Sequence, residues 1–305
     1  MDKIIVTVNG ELQPEEMGLT LPHEHIMVDF IGAEKTGKHR YDPEDVISRM
    51  LPYLIEIRDL GVKTFVDCTP MYLGRDVVIL KRLADLSELN IITNTGQYKE
   101  PYLPKETFNL SSEELSKQWI KEFYEGIEET KIRPGFIKTA VEPGSLTDIE
   151  KKLIEAAAFT SKETNLTIVT HTAEGMAALN VLDLLEKTGI APKKWIFAHA
   201  HVEERVDLIL KVAERGAWIS IDGIGWDDEA KHLSLLKRLL DQGYQDQILI
   251  SQDAGWYNVG DEHGGDKKPF TFLIERFLPF LRGQGFSEEI IRKLTIRNPA
   301  EAYSI

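Results

Sequence analysis

Leu19-Thr20-Leu21-Pro22-His23-Glu24-His25 is the stretch that decides how this sequence folds. Its apolar residues predict a β-strand, and the strand ends in two histidines separated by one residue. Side chains two positions apart on a strand point to the same face, so the two imidazoles converge on one point. Imidazole is the commonest metal ligand at neutral pH, but two satisfied histidines at a polar strand end are the alternative. The pair by itself leaves both interpretations open.

Seven further apolar runs follow, and segments of helical periodicity separate them. The eight predicted strands cover residues 19–22, 64–68, 90–95, 135–140, 166–170, 195–198, 217–221 and 247–251. Alternating helices and buried strands predict a parallel sheet, and eight repeats over 305 residues predict a closed (β/α)8 TIM barrel. The runner-up is an open doubly wound sheet. No Gly-x-Gly-x-x-Gly follows the first strand, which counts against its dinucleotide-binding version.

A short β-hairpin is predicted before the barrel, because Asn9-Gly10 is a strong two-residue turn signal between extended runs. We predict one domain over residues 1–305, with the hairpin in 1–16 and the barrel in 17–305. Capping residues predict helices that begin after Asp42, Ser111 and Thr147. The longest irregular stretch, 256–269, is predicted to be a lid or substrate loop.

The composition excludes several classes of function. A net charge of −14 disfavours nucleic acid and anionic membranes as partners. No stretch approaches the ~20 apolar residues of a membrane-spanning helix, and the first residues do not resemble a signal peptide. The one cysteine, Cys68, lies in an apolar run and predicts a buried thiol without a disulfide. We therefore expect a cytoplasmic protein that acts on a small molecule.

In a parallel barrel, the carboxyl ends of all strands face one mouth, where the chemistry takes place. The residues at these ends are metal-ligand types or can become so: His23, His25, Lys138, His171, His199 and Asp253. Singly, each has a structural alternative, such as a polar cap, a lysine that reaches solvent or a helix-capping aspartate. Four of the eight histidines, however, fall at the ends of three predicted strands. This coincidence favours a metal site.

The other histidines are predicted to face solvent from loops and helices: His39, His201, His232 and His263. His201 is the exception to watch, because it lies two residues after His199 at the same mouth. An aromatic pair, Trp256 and Tyr257, follows Asp253 closely. The pair either walls the pocket or packs within its own loop.

Several separated motifs agree in order and spacing with a known family. They are Gly18 to His25, Gly74-Arg75-Asp76, the Lys138 strand, Thr170-His171-Thr172, His199 and Asn298-Pro299-Ala300. On these motifs the sequence resembles the phosphotriesterase family of the amidohydrolase superfamily, which includes the phosphotriesterase-like lactonases. The resemblance runs from the hairpin to the last helix. Members are often dimers, so the resemblance also suggests a homodimer.

The resemblance implies a centre of two divalent metal ions, Zn²⁺ first, with Mn²⁺ or Co²⁺ as alternatives. By position, the more buried metal would be held by His23, His25 and Asp253, and the more exposed metal by His171 and His199. Lys138, carboxylated by carbon dioxide, would bridge the two as a carbamate. A free ammonium has no lone pair and cannot ligate, whereas a carbamate offers two oxygens. Some relatives carry glutamate at this position, and this sequence does not.

Two such metals would acidify a water near neutral pH, and Asp253 is the candidate proton acceptor. We predict a metal-dependent ester hydrolase, a lactonase in which metal-bound hydroxide opens the ring. Organophosphate-degrading members carry a histidine after strand seven and an aspartate after strand six as a proton relay. Gly223 and Val202 stand at these positions here, which disfavours triesterase activity. Acyl-homoserine lactonases carry an arginine in the region of Gly223, so their long-chain substrates are not favoured.

Polar residues at the predicted mouth favour a hydroxylated substrate such as a sugar lactone: Tyr98, Lys99, His201, Asp222, Trp226, Lys267 and Lys268. The three lysines could hold a phosphate or carboxylate, which extends the prediction to phosphorylated lactones. Solvated loop lysines are the alternative. The competing functions are a phosphotriesterase or phosphoester hydrolase on the same metals, an amide hydrolase, and a barrel that only binds.

Overall fold

The computed structural model describes residues 3–305 of the chain. Its strands, in chain order, are β1 (Ile5–Thr7), β2 (Gly10–Leu12), β3 (Thr20–Val28), β4 (Thr64–Asp67), β5 (Asn90–Ile92), β6 (Asn94–Thr95), β7 (Phe136–Ala140), β8 (Thr167–His171), β9 (Trp195–Ala198), β10 (Trp218–Ile221), β11 (Ile248–Ile250) and β12 (Gly255–Asn258). β1 and β2 pair as the predicted antiparallel hairpin. Met1 and Asp2 of the predicted 1–16 segment lie outside the described residues.

Helices alternate with the strands and cover their outer face. They are α1 (Pro43–Asp59), α2 (Val77–Ser87), α3 (Lys105–Asn109), α4 (Ser112–Glu125), α5 (Asp148–Thr164), α6 (Gly175–Lys187), α7 (Val206–Glu214), α8 (Glu229–Asp241), α9 (Leu278–Gly283), α10 (Glu288–Arg292) and α11 (Asn298–Tyr303). Within residues 3–305, none of them is long and apolar enough to cross a membrane.

Parallel strands form the barrel in two hydrogen-bonded runs. One run is ordered β11-β10-β9-β8-β7-β6, and the other is β12-β3-β4-β5. β5 and β6 are the two halves of the strand predicted over 90–95. The ring closes between the first and the last barrel strand, where the Asp253 amide donates to the His23 carbonyl and the His25 amide donates to the Ala254 carbonyl, both at 3.0 Å. The predicted (β/α)8 barrel is confirmed.

Two predicted boundaries are wrong. The first barrel strand was expected over 19–22, but β3 continues to Val28, so His23 and His25 lie within it rather than at its end. The stretch 256–269 was expected to be irregular, but its first residues belong to β12, which pairs in parallel with β3. β3 is long because it has β4 on one side and β12 on the other, and the second partner is distant in sequence.

Helix caps lie where the sequence predicts them. The Asp42 side chain accepts the amide of the second residue of α1 at 3.0 Å. Ser111 with Glu114, and Thr147 with Glu150, each form a reciprocal capping box at the start of α4 and α5. These bonds satisfy amides that have no partner within the helix, so they fix where each helix begins.

The amino end of the barrel is closed. Ile4 and Ile305 exchange two backbone hydrogen bonds of 3.2 and 2.9 Å, which join the hairpin segment to the end of the chain. The Tyr303 hydroxyl donates to the Pro22 carbonyl at 2.8 Å inside the barrel. Cys68 is fully buried and free, as predicted. Apolar packing fills this end, so the opposite end, at the carboxyl ends of the strands, is where a site can open.

Gly96 and Gly61 offer a matched test of the close strand packing. Their φ angles are +100° and +98°, so an alanine suffers similar backbone strain at each. A Cβ at Gly96 would clash with the carbonyl oxygen of Lys138, whereas a Cβ at Gly61 would meet open space. We expect Gly61→Ala to lower the free energy of unfolding by about 1 kcal/mol and Gly96→Ala by about 3 kcal/mol or more.

Urea denaturation of both variants measures this difference. Equal losses of unfolding free energy in the two variants would show that β6 and β7 move apart to accommodate the added methyl group. The close approach of Gly96 to the Lys138 carbonyl would then not constrain the position of Lys138.

Candidate metal centre

A pocket opens at the carboxyl ends of the barrel strands, and all six predicted ligands line it: His23, His25, Lys138, His171, His199 and Asp253. The imidazole rings lie close together, with centroids 4.9 Å apart for His23 and His199 and 4.4 Å apart for His171 and His199. The strand ends therefore meet as the barrel geometry predicts.

His199 and Asp253 both follow their strands in the left-handed backbone region, with φ angles of 63° and 49°. Residues other than glycine adopt this region rarely, and they persist there only where the surrounding structure holds them. Two such residues in one pocket are typical of a functional site.

Asp222 orients two of the histidines from beneath the pocket. Its carboxylate accepts the N–H groups of His23 Nδ1, at 2.8 Å, and of His199 Nδ1, at 2.9 Å. Each histidine therefore carries its proton on Nδ1 and its lone pair on Nε2. On His25, Nδ1 lies 2.7 Å from the Thr69 hydroxyl, which orients the ring and turns Nε2 towards Asp253. Metal-ligating histidines show this arrangement, in which a neighbour holds the other ring nitrogen.

The Asp222 side chain is fully buried. The structure thus places it against the ligand histidines rather than at the mouth where a substrate contact was predicted.

At His23 and Asp253 the electrostatics favour the protonation states that bind metal. Burial, helped by the charge of Lys138, lowers the pKa of His23 to about 3, so its imidazole is neutral. Burial by itself raises the pKa of Asp253, but the close contact with the His25 imidazole and the charges of the neighbouring histidines outweigh it and hold that pKa below its usual value. A neutral imidazole and an ionised carboxylate are the ligating forms of these side chains.

Two polar atoms in the pocket show that the donors fit a cation. Asp253 Oδ1 is buried and has no hydrogen-bond partner in the described part of the chain, although it lies 3.0 Å from His25 Nε2. The Lys138 ammonium is buried 3.2 Å from His23 Nε2, and within residues 3–305 its side chain makes no other hydrogen bond. Burying an unpaired carboxylate oxygen is unfavourable. A divalent cation would satisfy the lone pairs, and a carboxylated Lys138 would add two oxygens.

Glu24 is a structural residue of the centre that the sequence did not reveal. Its buried carboxylate accepts the Ser251 hydroxyl at 2.8 Å and the backbone amides of Gln252 at 3.0 Å and Ala254 at 2.7 Å. Burial raises the pKa of Glu24 to about 8. These bonds hold the segment that carries Asp253 against β3. The signal was present in the acidic residue between two histidines, because alternation turns Glu24 to the face of β3 opposite the pocket, where a buried carboxylate needs donors.

Two of the predicted substrate residues adjoin the centre. The ring of Tyr98 lies 5.3 Å from that of His171, centroid to centroid. Trp226 donates its indole N–H to the carbonyls of Gln252 at 2.7 Å and Asp253 at 3.1 Å, while 56% of its surface stays exposed. Trp226 therefore lies at the rim of the pocket beside Asp253.

The three predicted lysines differ in their partners. Lys99 pairs with Glu142 at 2.7 Å. Lys267 donates to two backbone carbonyls, those of His263 and Gly265, both at 2.6 Å. Lys268 Nζ lies 3.5 Å from the centre of the Trp226 ring, and it is buried without a hydrogen-bond partner in residues 3–305.

Aromatic rings wall the pocket on one side. Trp256 packs against His25 at 5.3 Å and against Phe30 at 5.6 Å, measured between ring centroids. Tyr257 points the other way and donates its hydroxyl to Asp45 at 2.6 Å, because neighbours on β12 alternate. Only Trp256 of the predicted pair therefore lines the pocket. Phe30, which the sequence did not single out, is 47% exposed beside it.

The remaining histidines divide into two pairs. His39 and His263 are exposed, as predicted. His201 and His232 are only 7% and 1% exposed, so the expectation that His232 faces solvent is wrong. α8 packs its His232 face inward, against His201, with ring centroids 5.3 Å apart.

His201 also fills the space beside Gly223. A side chain at that glycine would clash with the His201 imidazole. This imidazole and the strand-seven histidine of a proton relay are therefore mutually exclusive. Val202, at the position of the relay aspartate, is 45% exposed.

A parallel barrel with histidines, a lysine and an aspartate converging at the carboxyl ends of its strands defines a metal-dependent hydrolase. Residues 3–303 match the phosphotriesterase family. The chain is 32% identical to an aryldialkylphosphatase of Saccharolobus solfataricus, over 99% of this chain and 100% of that protein. The chain therefore belongs to the phosphotriesterase family, which confirms the predicted family and its class, hydrolases of ester bonds.

Two further relatives are similar over nearly their whole length. A phospho-furanose lactonase of Mycoplasmopsis synoviae is 30% identical, over 98% of this chain and 91% of that protein. A phosphotriesterase homology protein of Escherichia coli is 28% identical, over 94% and 98% respectively.

Asp222→Asn tests the role of Asp222 in positioning the histidines. An amide offers one accepting oxygen, and its NH2 group can only donate. It therefore cannot accept from both Nδ1–H groups in the same arrangement, and one imidazole loses its orientation. We expect metal affinity to fall about 10- to 100-fold, as for other such supporting residues. Competition with a chromogenic chelator measures the affinity. Asp207→Asn, at an exposed position on α7, is the control. An unchanged affinity in Asp222→Asn would show that the histidines need no such support.

Proposed function

We propose that this chain is a hydrolase with two divalent metal ions that opens a phosphorylated, furanose-type lactone. The observation that carries the substrate class is the Lys268 ammonium, which is buried against the rim residue Trp226 and has no hydrogen-bond partner among residues 3–305. It lies over Trp226, which bonds the carbonyl of Asp253, so a phosphate held there would place an attached lactone near the metal ligands. Charge-assisted bonds to phosphate are strong where the ammonium is already partly removed from water.

In this proposal one metal is held by His23, His25 and Asp253, and the other by His171 and His199, with carboxylated Lys138 between them. Zn²⁺ suits imidazole and carboxylate donors best. When bound, the metals would supply a Lewis acid for the lactone carbonyl and an acidified water.

The protein groups supply position and proton transfer. Asp222 keeps two imidazoles in orientation. The Asp253 carboxylate takes the proton of the attacking water and returns it to the ring oxygen that leaves, so the product is a hydroxy acid. Trp256 and Phe30 form an apolar wall that limits the entry of bulk water. A small-molecule substrate suits a pocket of this shape.

The phospho-furanose lactonase among the relatives supports the lactone proposal. The aryldialkylphosphatase, at 32% identity, favours a phosphotriester as the second candidate. Against the triester stands the His201 imidazole in the space beside Gly223, where the relay histidine of organophosphate-degrading members would lie. An amide substrate remains the third candidate on the same donors.

Lys138→Ala and Lys138→Glu test the bridging carbamate. We expect the alanine variant to lose at least one of two metal ions and its hydrolytic activity. The glutamate variant, which restores a carboxylate near the same place, should recover metal. Metal content after gel filtration, with and without bicarbonate, measures both. Lys162→Ala, at an exposed position of α5, is the control. Two bound ions and full activity in Lys138→Ala would refute the bridge.

Lys268→Gln tests the substrate class. The assay is hydrolysis of furanose lactones, the same lactones phosphorylated on an exocyclic hydroxyl, acyl-homoserine lactones, a chromogenic triester and an amide. We expect the wild-type enzyme to prefer the phosphorylated lactones. Loss of a charged hydrogen bond, about 1.5–3 kcal/mol, should raise KM for these by roughly 10- to 100-fold and leave the unphosphorylated lactones unchanged. Lys267→Gln is the matched control, because its ammonium already bonds two carbonyls.

Lys268→Gln also tests a predicted pH dependence of KM for phosphorylated lactones. Burial lowers the pKa of Lys268 to about 8, so the ammonium is charged below that pH and neutral above it. KM for a phosphorylated lactone should therefore rise between about pH 7 and 9, and this rise should be absent from Lys268→Gln. If no lactone is hydrolysed and the triester or the amide is clearly turned over, the lactonase proposal is rejected.

A further inference from the structure

A second group of ligand-type residues lies beside the metal centre, on the far side of Asp222. His201 follows β9, Asp227 lies in the segment after β10, and His232 is on α8. One ring nitrogen of each histidine and one carboxylate oxygen of Asp227 lie within 4.8 Å of one another. Both imidazoles are more than nine-tenths buried, whereas the Asp227 side chain is 45% exposed.

Two buried nitrogens in this group have no hydrogen-bond partner among residues 3–305, namely His201 Nδ1 and His232 Nε2. His232 Nδ1 lies 3.2 Å from the Asp228 carbonyl. A carbonyl can only accept, so Nδ1 carries the proton and Nε2 keeps a lone pair. A buried lone pair without a donor is unfavourable. This tautomer is the one that metal-ligating histidines adopt.

His201 lies against the carboxylate of Asp222, which also contacts two histidines of the main centre. Its Nδ1 lies 3.3 Å from Asp222 Oδ1, although the angle does not make a hydrogen bond. Asp222 thus touches His23, His199 and His201 at once. We infer that His201, Asp227 and His232 form a further binding site for a divalent transition-metal ion of the Zn²⁺ type. Two imidazoles and one carboxylate, with water at the fourth position, are a common zinc donor set.

An ion could reach this site from the surface. A cavity of about 280 Å³ is lined in part by His201, His232 and Lys231. Lys231 also pairs with Asp227 at 3.5 Å, but both side chains are about half exposed, and such pairs are weak. The ammonium can therefore yield to a metal ion.

A bound ion would join the segment after β9, which carries His201, to the stretch from Asp227 to the first turn of α8. Asp227 directly follows Trp226, whose indole bonds the carbonyls of Gln252 and Asp253 at the rim. Fixing Asp227 to α8 and to the segment after β9 would hold Trp226 in place. The ion is therefore inferred to order the mouth of the pocket, without taking part in the hydrolysis.

The experiment counts metal ions. Full-length protein is stripped with a chelator, equilibrated at a fixed free Zn²⁺ concentration, and measured by elemental analysis. The same is done for Asp227→Asn and His232→Leu, with His263→Gln as an exposed-histidine control. We expect wild type and His263→Gln to bind one ion per chain more than Asp227→Asn and His232→Leu. Added Zn²⁺ beyond the central ions should raise the melting temperature of wild type but not of Asp227→Asn.

Equal metal content in wild type and both variants would overturn the inference and leave water as the partner of the unpaired nitrogens. Because Asp227 is half exposed, its variant keeps the test decisive even where His232→Leu fails to fold. The test compares wild type with a variant of intact centre, so the one-ion difference does not depend on how many ions the centre holds. Failure of the proposed function and failure of this inference are therefore distinguishable.

Discussion

The buried carboxylate of Asp222 is the interaction on which the candidate centre depends. It accepts Nδ1–H bonds from histidines of β3 and of the segment after β9, and it stands at the end of β10 itself. One side chain thereby sets the tautomer and orientation of imidazoles from two other strands. Burial would make an isolated carboxylate unfavourable, but the imidazoles outweigh this and hold the pKa of Asp222 well below its usual value.

Strand β3 has a comparable role for the other half of the centre. Its alternating residues send His23 and His25 towards the pocket and Glu24 towards the segment that follows β11. Glu24 bonds two backbone amides of that segment, which carries Asp253 in the left-handed region. The same bonds thus close the barrel and place Asp253, a candidate metal ligand. A change that loosens the closure would also displace Asp253.

Much of this arrangement was predictable, because it rests on short-range rules. Periodicity and caps predicted the strands and the first helices, and the barrel then required six ligand-type residues to meet at one mouth. The extent of β3 was not predictable, because its second partner, β12, is more than 200 residues away in sequence. The burial of His232 was missed for the same reason, since its neighbour His201 belongs to a different part of the chain.

The sequence by itself determined the fold class, the family and the identity of the candidate ligands, since local patterns and the order of motifs carry that information. Only the tertiary structure decided which polar residues act on the ligands and which face the mouth. It turned Asp222 from a predicted substrate contact into the support of two histidines, and it left the Lys268 ammonium buried without a hydrogen-bond partner in residues 3–305. The physical reason is that a hydrogen-bond partner is set by distance in space, and barrel closure brings together residues that no local pattern relates.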